Sequence, residues 1–118
     1  MASVLTNNAK HVMLDALAGV AVFASLHSGD PSTTGANEIS GGSPAYARKA
    51  ITWNAASGGG LDNNANPVFD VPAGTTISYV GLWSASSGGT YYGHFDITDE
   101  TFGAQGTYTL SDADVTLP

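Results

Sequence analysis

Residues 75–85 read TTISYVGLWSA, and this stretch decides the fold. β-branched and aromatic residues crowd it, with the period of two that a pleated strand imposes. Ile77, Tyr79, Gly81 and Trp83 share one face, while Val80 and Leu82 share the other. Both faces are therefore expected to be at least partly covered. Pro72-Ala73-Gly74 forms a turn ahead of it, because proline presets φ and glycine supplies freedom. Residues 86–89 turn the chain again.

Working outward, residues 67–71, 91–97 and 107–110 read as short strands, with a resumption at 115–117. Residues 48–53 alternate as well: Lys49, Ile51 and Trp53 lie on one face, Ala50 and Thr52 on the other. Val20, Val22, Ala24 and Leu26 alternate with Ala21, Phe23 and Ser25, which reads as a largely buried strand. Residues 28–46 and 54–60 are rich in Gly, Ser and Asn and read as loops. The first is long enough to be expected to carry function or an interface.

A single helix is legible, over about residues 8–19. Asn7 or Asn8 caps it, Val12, Met13, Leu17 and Val20 recur on one face, and Gly19 terminates it. Residues 20–118 then form the β part of one domain. The expected class is mainly β: an antiparallel β-sandwich or jelly-roll-like fold with one short N-terminal helix, burying Ile51, Phe69, Val80 and Leu82. Gly81, between two aromatics, permits another group to approach closely.

Apolar residues make up 42% of the 118, enough for one modest core. No apolar run approaches a membrane span, and no basic leader with a cleavage site is legible, so neither a membrane partner nor a signal peptide is expected. Three basic residues stand against ten acidic ones, a net charge of −7. That balance repels phosphate backbones, so nucleic acid is excluded as a partner. Cysteine is absent, which removes disulfides and thiolate metal sites. Only 11% of residues are charged, so repeated copies pack with little mutual repulsion.

The chemistry a sequence can advertise is thin here. His11, His27, His94 and many serines supply the ingredients of a nucleophilic triad. No G-x-S-x-G elbow is present, and no orienting partner has recognisable spacing to any histidine. Asp96, Asp99 and Glu100 read as solvated carboxylates of a turn and Glu38 as a loop residue, rather than as a glycosidase pair. Asp96-x-x-Asp99-Glu100 and Asp112-x-Asp114 offer hard oxygen ligands but lack the series of an EF-hand. His94 and Asp96 lie on one strand face, and two ligands make no site. No metal and no cofactor are expected. Residues 58–60 (GGG) lack the Lys-Ser/Thr and helix of a phosphate cradle. Trp53, Tyr79, Trp83, Tyr91 and Tyr92 read as core or interface residues rather than as a sugar platform.

Two stretches carry a family likeness. Residues 25–43 (SLHSGDPSTTGANEISGGS) with 46–53 (YARKAITW) form one, and residues 69–90 (FDVPAGTTISYVGLWSASSGGT) form the other. They resemble a group of small virion proteins from tailed-phage and prophage structural clusters. Members are often labelled tail fibre or minor tail protein, and similar small β proteins decorate capsids. The likeness runs from about Asn8 to the C-terminus and transfers no catalytic residue. It implies a non-enzymatic structural protein of the virion, made in the bacterial host cytoplasm.

Capsid decoration is the first expectation, because no shaft, coiled coil or collagen-like repeat is legible. The alternative is a minor tail or fibre-associated protein, with host-glycan binding. A carbohydrate-binding domain and a small hydrolase follow in that order. The partners expected are further copies of the chain, as a trimer, and the major capsid protein or tail proteins. The interface candidates are Asp30, Glu38, Tyr46, Arg48, Trp53, Trp83, Tyr91 and Tyr92, with Arg48 pairing Asp30 or Glu38 across a loop or subunit boundary. The loop 28–46 is the expected contact segment.

Overall fold

The computed structural model describes residues 4–117. Helix α1 (Asn7–Ala18) is followed by strands β1 (Phe23–His27), β2 (Lys49–Ala50), β3 (Gly60–Asp62), β4 (Val68–Val71), β5 (Thr75–Trp83), β6 (Tyr91–Phe102), β7 (Gly106–Thr109) and β8 (Asp114–Thr116). Strands account for 42% of the residues and helix for 11%, well below the third typical of soluble domains. All pairings are antiparallel: one sheet in the order β2-β1-β5-β6, and two ribbons, β3-β8 and β4-β7. The fold is mainly β and sandwich-like.

Strand β5 lies inside the main sheet, and its pairing with β6 is irregular at two places, between Ile77 and Tyr79 and between Leu82 and Trp83. At the first, β6 advances four residues, from Glu100 to Asp96, while β5 advances two. Ile77 therefore joins Val80 and Leu82 in the core instead of sharing a face with Tyr79. Ala24 and Leu26 of β1, Phe69 and Val71 of β4, Ile51 and Leu110 belong to the same cluster. Each large aliphatic or aromatic side chain so buried stabilises the fold by roughly 1.5–3 kcal/mol. Ile51, Phe69, Val80 and Leu82 are all buried, as the alternation requires.

Helix α1 forms where expected but presents another face. Thr6, not Asn7 or Asn8, is its cap, with its hydroxyl accepting from Ala9 N (3.2 Å). Leu14 is the buried residue, whereas Val12, Met13 and Val20 are exposed. Polar anchors decide the orientation. His11 Nε2 accepts from Gly59 N (3.0 Å), and the Asp15 carboxylate accepts from Ala56 N (2.8 Å). Both tie the helix to the loop before β3.

Three strand expectations need correction. Residues 20 and 21 are held by the helix end, since Ala21 N donates to Leu17 O (2.7 Å), so β1 starts only at Phe23. Strand β2 is two residues long, and Arg48 precedes it. Strand β6 continues past Ile97 to Phe102, so Asp96, Asp99 and Glu100 stand on an edge strand and not in a turn. Carboxylates there keep an exposed edge solvated. The pairing of β3 with β8 was not legible at all, because three residues are too few to show a period.

Candidate functional site

The loop 28–46 is fastened to the main sheet by a polar clamp. Arg48 grips Glu38 in two bonds, from Nε to Oε2 and from Nη2 to Oε1 (both 3.0 Å). Its Nη1 donates to the carbonyls of Ala85 (3.1 Å) and Gly88 (2.8 Å), fixing the turn after β5 as well. The guanidinium lies 3.7 Å from the Trp83 ring centre, a stacked cation–π contact. Tyr46 donates its hydroxyl to Glu38 Oε2 (2.7 Å) and accepts from Leu26 N (3.0 Å). Burial disfavours the Glu38 carboxylate, yet the bonds from Arg48 and Tyr46 outweigh it and hold its pKa below the usual value.

Behind the clamp runs a second chain of hydrogen bonds. Trp83 Nε1 donates to Ser25 Oγ (2.8 Å), Ser25 Oγ donates to His27 Nε2 (2.7 Å), and His27 Nδ1 donates to the Ala36 carbonyl (2.7 Å). The carbonyl can only accept, which assigns the proton to Nδ1. Burial lowers the pKa of His27, which keeps the ring neutral. Gly81 makes room for this chain, because a Cβ there would sit 2.5 Å from Ser25 Oγ and 2.7 Å from His27 Nε2. Gly35, at φ 76°, seats the loop backbone directly on the Trp83 ring.

Ser25 and His27 thus form a serine–histidine pair of hydrogen-bond geometry, spaced i and i+2 on one strand face. The reading that no histidine has a recognisably spaced partner is corrected by that contact. Both residues have no solvent exposure, and the serine oxygen is already engaged by two partners. Their geometry secures the loop rather than opening toward a substrate.

Tyr91 extends the clamp outward. Its ring packs 5.0 Å from Trp83, and its hydroxyl donates to Ser32 O (3.1 Å) and accepts from His94 Nδ1 (2.9 Å). Asp30 sits at the exposed rim, where its Oδ1 accepts from Ser32 N (2.8 Å) and lies 3.6 Å from His94 Nε2. Glu38, Tyr46, Arg48, Trp83 and Tyr91 therefore converge, with the Arg48 pair made inside one chain. Trp53 lies elsewhere and donates to Ala21 O (3.0 Å). Tyr92 projects from β6 and is exposed. Next to it, Ser32, Thr33, Tyr91, Gly93 and His94 help line an open cavity of about 360 Å³.

A separate group forms where β3 meets β8. Asp62 stands opposite Asp114, and Asp112 joins them, all three exposed. Hydrogen bonding with Asp62, more than burial or the charge of Asp112, pushes the Asp114 pKa up to about 6. The sequence supplied Asp112 and Asp114, while Asp62, distant in the chain, was missed with its strand.

The family model described as Podophage GP4 fiber I protein gp80 matches residues 5–117. The chain belongs to this family. The match spans α1 and all eight strands, so the clamp and the helix both lie inside the family's own domain. It is a family of phage virion structural proteins, fibre-like in kind, in agreement with the likeness carried by the two motif stretches. No curated protein matches the sequence.

Proposed function

We propose that the chain is a non-enzymatic module of a phage tail fibre or its attachment, and that the clamped loop 28–46 is the face it presents to a partner. The observation that carries this reading is the fibre family match over nearly the whole chain. It favours the tail over capsid decoration, the location first expected from the sequence. The geometry adds that Arg48, Trp83, Ser25 and His27 hold a long loop rigid, as a contact surface requires. The sealed Ser25–His27 pair supports a structural role over hydrolysis. Other tail proteins are the partners of this reading, and self-association accompanies it.

A second, compatible reading is host-glycan contact at the cavity beside Tyr92, where an exposed aromatic ring stands near the Ser32 and Thr33 hydroxyls. Cryo-electron microscopy of particles labelled with an antibody to this chain tests the main reading. Label on fibres or at the tail supports it, and label spread over the capsid overturns it.

A further inference from the structure

The second irregularity of the β5–β6 pairing throws Tyr92 out of the ladder. Between Leu82 and Trp83, β5 advances one residue while β6 advances two, from Gly93 to Tyr91. Tyr92 is the extra residue, a bulge on an edge strand of the main sheet. Gly93 stands at φ 153°, a conformation that side chains rarely adopt, so the bulge draws on the freedom of glycine. Bulges at an edge re-aim a side chain, and here it is a large aromatic ring left 41% exposed.

Two cavities meet at this bulge. The one already described, of about 360 Å³, lies against the loop 28–46. A second, of about 380 Å³, lies where β6 passes the end of α1 and strand β8. Tyr92, Gly93 and His94 line both, so the two adjoin along three consecutive residues. A Cβ on Gly93 would meet nothing within 4 Å, which leaves the junction open. Leu17, Leu82, Phe95 and Val115 supply apolar walls to the second cavity, and Asp114 and Thr116 supply polar ones. Tyr91 holds the first in shape through its bonds to Ser32 O and His94. Both volumes fall in the range of small-ligand sites.

We infer that the two cavities are subsites of one groove for an uncharged oligosaccharide, one unit of which lies on the Tyr92 ring while the chain reaches into both hollows. This rests on the glycan reading given above and adds the second subsite, a length beyond one unit and the charge class. A pyranose has a face of C–H bonds and a rim of hydroxyls. An exposed tyrosine ring offers the first an apolar surface, while hydroxyl and carboxylate groups exchange hydrogen bonds with the second. Charge narrows the class. Among the described residues, no lysine or arginine lines either cavity, whereas Asp114 lines one and Asp30 lies 3.6 Å from His94. A sugar carboxylate, sulfate or phosphate therefore meets carboxylates and no cationic partner. A protein hot spot is a patch whose surroundings shut out water. A ring between two hollows suits a chain of separate units instead.

The full chain is screened on an array of neutral trisaccharides of glucose, galactose, mannose, rhamnose and N-acetylglucosamine, beside sialylated and uronic-acid counterparts. The best neutral trisaccharide is then titrated in solution. It should bind at least about tenfold more tightly than its monosaccharide or its acidic counterparts. Y92A should weaken binding about tenfold or more, and Y92F should restore it, since the ring carries the contact. T33W fills one cavity and L117W the other, neither from a buried position, and each should weaken binding several-fold. T98E, outside both cavities, should bind like the wild type. Circular dichroism reports whether each variant is folded, and the folded ones decide. A neutral sugar whose binding is indifferent to Y92A or to L117W overturns the inference and leaves the glycan reading standing. So does an acidic counterpart that binds as tightly. Absence of binding to any sugar overturns both, including the case in which Y92A abolishes binding to another virion protein.

Discussion

The guanidinium of Arg48 is stacked on Trp83 while its nitrogens hold Glu38 and two carbonyls of the turn after β5. One side chain, only 9% exposed, thereby joins the loop 28–46, the end of β5 and the following turn. Arginine is suited to this because its planar fork both stacks and binds a carboxylate in two bonds.

Removing that side chain strands a half-buried carboxylate. R48A should lower stability by about 3 kcal/mol, in the range for breaking a buried pair from one side. R48K should recover only part of this, since an ammonium neither stacks as well nor binds in a fork. Urea denaturation followed by tryptophan fluorescence measures both. A loss for R48A below about 0.5 kcal/mol, the scale of an exposed pair, would contradict the clamp.

The same pair sets an acid limb. The folded pKa of Glu38 lies below its ordinary 4.5, so its ionisation stabilises the fold fully above that value. This contribution fades as pH falls through the folded value. E38Q should be less stable than wild type near neutrality, and the difference should shrink on acidification from about pH 6 to about pH 3. Melting temperatures across that range decide it. A constant difference would refute the assignment.

Asp114 works in the opposite sense. Its folded pKa of about 6 exceeds the ordinary 3.8, so the folded state binds the extra proton between those values. The stability it contributes is present below 3.8 and is lost as pH rises through about 6. D114N should therefore melt slightly higher than wild type at neutral pH, and the advantage should vanish in acid. The effect is small because the group is exposed. A D114N variant that melts lower at neutral pH would show that the carboxylate stabilises rather than strains the β3–β8 ribbon.

Gly81 offers a test of the buried hydrogen-bond chain. G81A drives a methyl group into Ser25 and His27 and should cost about 1–3 kcal/mol. Combining it with S25A removes one of the two clashing atoms. The double variant should then be less destabilised than the sum of the singles, a coupling that chemical denaturation resolves. Strict additivity would mean that the two residues do not compete for the same space.

What the sequence disclosed followed the length of its signals. Strand β5, nine residues long, was legible, as was the helix. The phase shift after Ile77 was not, because a bulge is fixed by the partner strand and not by composition. The helix face was misassigned because periodicity locates an apolar stripe without saying what covers it. The anchors His11 and Asp15 make that choice through backbone groups 48 and 41 residues away. The pairing of Arg48 with Glu38 was expected from charge, across a loop or a subunit boundary, and the structure makes it across the loop inside one chain. The Ser25–His27 contact was readable from strand spacing alone. Asp62 was not readable, since only the β3–β8 register brings it to Asp114.

The separation between what fastens the loop and what shows on its surface has an evolutionary consequence. Ser25, His27, Gly35, Glu38, Tyr46, Arg48 and Trp83 do the fastening, whereas residues such as Thr33 and Ser40 face solvent. A rigid loop spends little ordering entropy when a partner arrives, so affinity rests on its outward side chains. Those side chains are free to drift without disturbing the scaffold beneath them. Under the contact role proposed for this loop, a lineage confronted with an altered partner can rewrite the message there one residue at a time, and a designer can graft a new one by the same route.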